Sequence, residues 1–131
     1  MARIMIVDDE PPVREALQAV IDAAGHETCA VSDGGRCLAE LDSFRPDLVI
    51  TDILMPGMEG MQTINELRKR QPALPIIAIS GGVCFGDMNF LRTAERLGAS
   101  HSILKPVSPQ GLITAIAALL GHNRAPSRPI G

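Results

Sequence analysis

The sequence lacks the features that mark membrane and secreted proteins. None of its apolar runs approaches the length of about 20 residues that a membrane-spanning helix needs. The first residues lead straight into a short apolar run, without the longer hydrophobic stretch and small-residue cleavage site of a secretory signal. We therefore expect a cytoplasmic protein that has no membrane partner.

Runs of positive charge and metal-spaced cysteines are also missing. Twelve Lys and Arg stand against fifteen Asp and Glu, which gives a net charge of −3 and argues against direct binding of nucleic acid. Cys29, Cys37 and Cys84 share no metal-ligand spacing and lie in or beside apolar segments. They are therefore predicted to be reduced thiols of a cytoplasmic protein.

What the chain does have is enough apolar material for one packed core. A length of 131 residues with 46% hydrophobic residues is typical of one domain, and we expect that domain to span residues 1–121. Residues 122–131 are rich in Pro and Arg and have too few apolar residues to pack. We expect this tail to be disordered, and we expect no output domain.

Hydrophobic periodicity predicts five strands that alternate with five helices. The predicted strands are 4–7, 28–31, 48–52, 76–79 and 103–104, and the predicted helices are 11–24, 34–43, 59–71, 87–97 and 109–121. Gly25 and Gly121 are expected to end their helices, and Ser108 to cap the last one. The alternation implies right-handed crossovers and a doubly wound α/β fold, with helices on both faces of a parallel sheet.

Polar side chains end or directly follow four of the predicted strands. They are Asp8 and Asp9, Asp52, Ser80 and Lys105. Because the carboxyl ends of parallel strands meet at one edge of the sheet, we expect these side chains to converge there. Three carboxylates in one place repel one another unless a cation compensates their charge.

A hard divalent cation suits such an edge, and we expect Mg²⁺. This ion prefers oxygen ligands, keeps several waters, and takes one or two carboxylates together with phosphate oxygens. The ammonium group of Lys105 could reach a phosphoryl oxygen or pair with Asp52. A carboxylate nucleophile, a metal, a lysine and a hydroxyl are together the parts needed to accept a phosphoryl group. The pattern predicts an aspartyl phosphate at Asp52.

With these residues in this order, the chain resembles the receiver domains of two-component response regulators. The resemblance rests on Asp8-Asp9-Glu10, on Asp52 with Met55-Pro56-Gly57, on Ser80 and on Lys105-Pro106, and it extends over about residues 3 to 120. It implies a flavodoxin-like (βα)5 fold with the strand order 2-1-3-4-5. It also implies a stand-alone protein that takes part in a phosphorelay.

The resemblance further implies a role for each site residue. The phosphoacceptor would be Asp52, and the Mg²⁺ ligands would be Asp9, Asp52 and the Leu54 backbone carbonyl, with Asp8 acting mainly through water. Ser80 and Lys105 would bind the phosphoryl oxygens. The phosphodonor would be a sensor histidine kinase or a histidine phosphotransfer protein, and the target a downstream protein effector. Such a protein assists its own phosphorylation and dephosphorylation but is not an enzyme that turns over a metabolite.

Two positions depart from the family's pattern. Ser102 stands where many receivers carry Tyr or Phe, and the chain has no Tyr or Trp, so we hypothesise that rearrangement of the glycine-containing segment 81–86 replaces the aromatic switch. Leu54 and Gly82 stand where polar side chains in some relatives orient the attacking water. We therefore predict slow self-dephosphorylation, which Leu54→Asn should accelerate.

Other interpretations remain open at this stage. Asp8 or Asp9 alone could cap the following helix, and Ser80 could be a turn residue. One rival function is a receiver-like interaction module that is never phosphorylated, but such a module would lack an acidic or lysine element, and this chain keeps all of them. The other is an aspartate-nucleophile phosphohydrolase of the haloacid dehalogenase type. Those enzymes place a second Asp two residues after the nucleophile, where this chain has Leu54.

Overall fold

The structure, a computed structural model, describes residues 1–53, 59–80, 96, 98–104 and 107–124. Five strands and four helices have both ends inside these ranges. The strands are β1 (Arg3–Val7), β2 (Glu27–Val31), β3 (Leu48–Asp52), β4 (Ile76–Ser80) and β5 (His101–Leu104), and the helices are α1 (Pro11–Ala23), α2 (Gly34–Phe44), α3 (Glu59–Arg70) and α4 (Pro109–Arg124). None of these helices is long and apolar enough to cross a membrane.

The five strands form one parallel sheet in the order β2-β1-β3-β4-β5. This confirms both the doubly wound α/β class and the strand order 2-1-3-4-5. Every residue of β3 and β4 is buried, as expected for central strands that are covered on both faces. The end of β3 therefore lies between the ends of β1 and β4.

Alternate side chains of the sheet enter two separate cores. On one face, Val49 of β3 packs in a cluster with Ile64 and Leu67 of α3. On the other face, Ile50 joins a cluster that includes Ile21 of α1 and residues of α4. Because successive strand side chains point to opposite faces, one short apolar strand supplies both cores.

The predicted helix boundaries hold closely for the first three helices. Helix α1 begins at Pro11, whose fixed φ suits a first helical turn, and it is followed by Gly25 with a φ of +95°.

The Ser108 hydroxyl accepts a hydrogen bond from the Gly111 backbone N–H at 3.1 Å, which confirms the predicted cap of the last helix. Strand β5 begins two residues earlier than predicted, because His101 already pairs with Ile77.

The predicted end of the last helix is wrong. Helix α4 continues through Gly121 to Arg124, so residues 122–124 of the predicted disordered tail are helical. A glycine inside a helix costs about 1 kcal/mol relative to alanine, which is too little to stop a helix anchored by the buried Leu112 and Ile116. Residues 125–131 lie outside the described residues, as does the predicted helix 87–97 except for Arg96, which is helical.

Candidate functional site

Three carboxylates meet at the carboxyl edge of the sheet. Asp8 and Asp9 follow β1, Asp52 is the last residue of β3, and one oxygen from each carboxylate lies within 4.8 Å of the other two. Asp8 and Asp52 are only 1% and 4% exposed, whereas Asp9 is exposed. The structure thus brings together the three acidic residues that the sequence singled out, and one of them, Asp9, is exposed to solvent.

Asp8 is held by hydrogen bonds from three different segments. Its backbone N–H donates to the Val31 carbonyl oxygen at 3.2 Å, and its Oδ1 accepts from the Glu10 backbone N–H at 2.9 Å. The Arg14 guanidinium donates to the Asp8 carbonyl oxygen at 2.7 Å. These bonds hold both the backbone and one carboxylate oxygen of Asp8, so its place in the site is defined by β2 and α1 as well as by β1.

These contacts also bear on the possibility that Asp8 caps the helix that follows it. The residue at the N-cap position of α1 is Glu10, and its side chain makes no capping hydrogen bond. The Asp8 carboxylate bonds to the backbone N–H of that residue, which precedes the first helical residue. Asp8 Oδ1 therefore stabilises the turn between β1 and α1.

The backbone around Asp52 is constrained by the neighbouring strand. Asp52 pairs with Ile79 of β4, and the Ile53 backbone N–H donates to the Ile79 carbonyl oxygen at 3.0 Å. The buried Thr51 hydroxyl lies 3.1 Å from the Asp52 carbonyl oxygen and donates a hydrogen bond to it. The carbonyl oxygen and the N–H of the peptide between Asp52 and Ile53 are thus both hydrogen-bonded, and this holds the backbone that carries the Asp52 carboxylate.

Gly60 contacts this same stretch of backbone and was missed by sequence reasoning. It is the buried second residue of α3, and a Cβ added there would overlap the Asp52 carbonyl oxygen and the Ile53 Cα. A weak signal did exist, because a glycine inside a predicted helix costs stability and its presence calls for a packing reason.

Ser80 is the last residue of β4 and is fully buried. It pairs with Leu104, the last residue of β5, while the preceding residue of its own strand pairs with Asp52. Ser80 therefore lies at the carboxyl edge, within the strand and not in the turn after it. Two predicted site residues, Lys105 and Leu54, lie outside the described residues, as does the segment 81–86.

The donor set suits a hard cation. All three groups of the described cluster are carboxylates, and neither His nor Cys joins them. Oxygen ligands of this kind bind Mg²⁺, which tolerates an open site because it retains several of its waters. A divalent cation would also offset the mutual repulsion of three carboxylates at this spacing. The residues present thus fit the metal that the sequence predicted.

Comparisons with known proteins converge on one family. A family model described as "Response regulator receiver domain" matches residues 4–117. The DNA-binding response regulator MtrA of Mycolicibacterium smegmatis is 31% identical to this chain over 121 residues. The matched region covers 92% of this chain but only 51% of MtrA, so the chain spans about half the length of that relative. Protein PilH of Pseudomonas aeruginosa is 34% identical over 122 residues, which cover 92% of this chain and 98% of PilH. A crystal structure of a response regulator receiver domain protein from Clostridium thermocellum matches with a TM-score of 0.87 at 28% identity, covering 95% of this chain and 98% of that chain.

Proposed function

We infer that this chain, which belongs to the response regulator receiver family, accepts a phosphoryl group on Asp52. The observation that carries the proposal is the meeting of three carboxylates, whose oxygens lie within 4.8 Å of one another at the carboxyl edge of the sheet. The phosphodonor would be a sensor histidine kinase or a histidine phosphotransfer protein. A cytoplasmic location and a downstream protein effector belong to the same proposal.

Asp52 is the best candidate for the nucleophile because of its place in the sheet. It ends the central strand β3, so the carboxylates that follow β1 lie on one side and Ser80 at the end of β4 lies on the other. Asp8 lies in the turn after β1, where its Oδ1 accepts the Glu10 N–H, and it flanks the central position of Asp52. A phosphoryl group on Asp52 would therefore have acidic groups on one side and a hydroxyl on the other.

In the proposed transfer, one Asp52 carboxylate oxygen forms a bond to phosphorus while the bond from phosphorus to the donor's imidazole nitrogen breaks. The electron pair of the broken bond stays on that nitrogen, which takes up a proton from solvent. Ser80 and Lys105 would bind the phosphoryl oxygens, and their charge and hydrogen bonds would hold the group in line for attack. The protein contributes positioning more than covalent chemistry, as is usual for this reaction.

Mg²⁺ would be held by Asp9 and Asp52 with the Leu54 backbone carbonyl, and by Asp8 mainly through water. When bound, it supplies positive charge that offsets the negative charge of the carboxylates and of the phosphoryl oxygens.

We also propose that the receiver unit includes the whole of α4, because the buried Leu112 and Ile116 of that helix belong to the core beneath the sheet.

Intact mass after incubation with acetyl phosphate and Mg²⁺ tests the proposal. The wild-type chain should gain the mass of one phosphoryl group, and Asp52→Asn should gain none. Asp42→Asn, which changes an exposed aspartate of α2, is the matched control and should behave as the wild type. A mass gain in Asp52→Asn would contradict the assignment of the acceptor.

Intact mass and a phosphatase assay together separate the rival functions. A receiver-like module that is never phosphorylated would gain no mass in any variant. A phosphohydrolase would release phosphate continuously from a generic phosphate ester, whereas the proposed phosphoacceptor would gain one phosphoryl group from acetyl phosphate and would not release phosphate from the ester.

A further inference from the structure

The first turn of α3 lies directly against the peptide that joins Asp52 to Ile53. A methyl group at Gly60 would overlap the Asp52 carbonyl oxygen and the Ile53 Cα, and would lie 2.9 Å from the Ile53 carbonyl carbon. All three of these atoms belong to the backbone, so no side-chain rotation could make room. Only a residue without a Cβ allows α3 to approach the end of β3 this closely.

Both sides of this contact are held by other interactions. On one side, the Asp52 peptide is held by the Ile53 N–H bond to Ile79 and by the Thr51 hydroxyl. On the other side, α3 is anchored in the core by Ile64 and Leu67, which are fully buried. A larger residue at position 60 would therefore shift the Asp52 peptide, the helix, or both.

We propose that Gly60 is a positioning residue for phosphoryl transfer, because its contact with the Asp52 peptide sets where the Asp52 carboxylate lies relative to Asp8 and Asp9. The proposal rests on the function proposed above and adds a residue that touches neither the metal nor the phosphoryl group. A small displacement is enough to matter, since metal ligands and nucleophiles work only within narrow limits of geometry.

Three other glycines of the described helices, Gly35, Gly111 and Gly121, behave differently. A Cβ at Gly35 would come no closer than 3.4 Å to another atom, and a Cβ at Gly111 no closer than 3.5 Å, both of which are ordinary contacts. A Cβ at Gly121 would meet nothing within 4 Å. Gly121→Ala is thus a matched control for Gly60→Ala, because it makes the same substitution inside a helix without the close approach.

The test compares these two variants with the wild type by calorimetric titration with Mg²⁺, which suits a chain without Trp or Tyr. Gly60→Ala should raise the Mg²⁺ dissociation constant about tenfold. It should also slow phosphorylation by acetyl phosphate about tenfold when Mg²⁺ and phosphodonor are saturating. Gly121→Ala should match the wild type in both measurements and should unfold at an equal or higher denaturant concentration.

A purely structural role for Gly60 predicts a different result. The free energy of unfolding would change, but folded Gly60→Ala would bind Mg²⁺ and accept phosphate as the wild type does, and this would overturn the proposal. If the wild type gains no phosphoryl group, the proposed function is wrong. In that case the Mg²⁺ dissociation constants of the wild type and Gly60→Ala still test whether Gly60 positions the carboxylate.

A second variant covers the case in which Gly60→Ala does not fold. Thr51→Val changes the side-chain volume little but removes the hydrogen bond from the Thr51 hydroxyl to the Asp52 carbonyl oxygen. It should weaken Mg²⁺ binding and slow phosphorylation severalfold, in the same direction as Gly60→Ala. Wild-type behaviour of Thr51→Val, together with an unfolded Gly60→Ala, would overturn the proposal that the hold on this peptide positions the carboxylate.

Discussion

The guanidinium of Arg14, in the second turn of α1, donates a 2.7 Å hydrogen bond to the carbonyl oxygen of Asp8. This bond joins a helix to the acidic edge of the sheet through the backbone, while the carboxylate of Asp8 remains directed by the turn at Glu10. A charged donor on a buried carbonyl is among the stronger kinds of hydrogen bond in proteins.

Replacing Arg14 should therefore destabilise the protein. Arg14→Met keeps much of the aliphatic side chain but leaves the Asp8 carbonyl without this donor, which we expect to lower the free energy of unfolding by about 1–3 kcal/mol. Urea unfolding without Mg²⁺ measures the change. Arg36→Met, on the exposed face of α2, is the control and should shift stability by less than about 0.5 kcal/mol. Equal effects of the two substitutions would show that the bond contributes nothing.

The three neighbouring carboxylates should lower the stability of the metal-free protein by mutual repulsion, although the same carboxylates are expected to bind the metal. Asp9→Asn removes one of three like charges, so without Mg²⁺ it should raise the free energy of unfolding by about 0.5–1 kcal/mol, in the range of a partly exposed charge interaction. Addition of Mg²⁺ should stabilise the wild type, by about 2.7 kcal/mol at a hundred times the dissociation constant, and should stabilise Asp9→Asn much less.

Urea unfolding with Mg²⁺ and with a chelator measures both effects on the same samples. Glu15→Gln, an exposed change on α1, serves as the control. If Mg²⁺ raises the free energy of unfolding equally in the wild type and in Asp9→Asn, then Asp9 is not a metal ligand.

The buried thiol of Cys37 predicts a loss of stability at alkaline pH. Burial, with a smaller contribution from Cys29, raises the pKa of Cys37 from 9.0 to about 12. Above pH 9 the unfolded chain releases this proton while the folded chain keeps it. The stabilising contribution is therefore complete below pH 9, and it declines by about 1.4 kcal/mol per pH unit as the pH rises toward 12.

Cys37→Ala should flatten this decline, although its stability at neutral pH will be lower because of the lost side chain. The chain contains no Tyr, so no phenol titrates in the same range. Unfolding in urea under reducing conditions, repeated from pH 9 upward, gives the slope for each protein. The same slope in both would contradict the assignment to Cys37.

Arg68 joins the end of α3 to the segment before β5. Its guanidinium donates to the Gly98 carbonyl oxygen from Nε at 3.2 Å and from Nη2 at 2.5 Å, and to the carbonyl oxygens of Gln71 and Pro72 at 3.2 and 2.6 Å. A lysine cannot reproduce this planar arrangement of donors. Arg68→Lys should lower the free energy of unfolding by about 1–3 kcal/mol.

The neighbouring Lys69 provides the control for this prediction. Its side chain is 66% exposed and lies 3.9 Å from Glu66, an ion pair of the kind that contributes little. Lys69→Gln should therefore leave urea unfolding almost unchanged. If Arg68→Lys behaves in the same way, the four carbonyl contacts do not stabilise the fold.

The acidic site was predictable because apolar runs end in charged residues. The run 48–51 is short and consists of three apolar residues and the β-branched Thr51, as is typical of a buried strand, so a carboxylate at Asp52 is conspicuous. The same pattern marks Asp8 and Asp9, and the structure brings all three together. The strand order was not predictable in this way. It followed from the family resemblance, because a local pattern does not say which strands pair.

Helix ends were predictable only in part. Gly25 and Gly121 both follow apolar helical patterns, and both were expected to end a helix. Gly25 follows the end of α1 with a positive φ, whereas α4 continues past Gly121 for three more residues. The two glycines look alike in sequence, and the structure separates them by their place in the backbone: Gly25 has a φ of +95° after α1, whereas Gly121 lies inside α4.

The amino-acid sequence by itself determined the alternation of strands and helices and the polar residues at the strand ends, because hydrophobic periodicity and turn residues are local properties of a chain. Only the tertiary structure decided that Arg14 contacts the Asp8 backbone and that Gly60 contacts the Asp52 peptide. Each of these contacts depends on the distance between a helix and a strand, and that distance is set by the packing of the whole sheet.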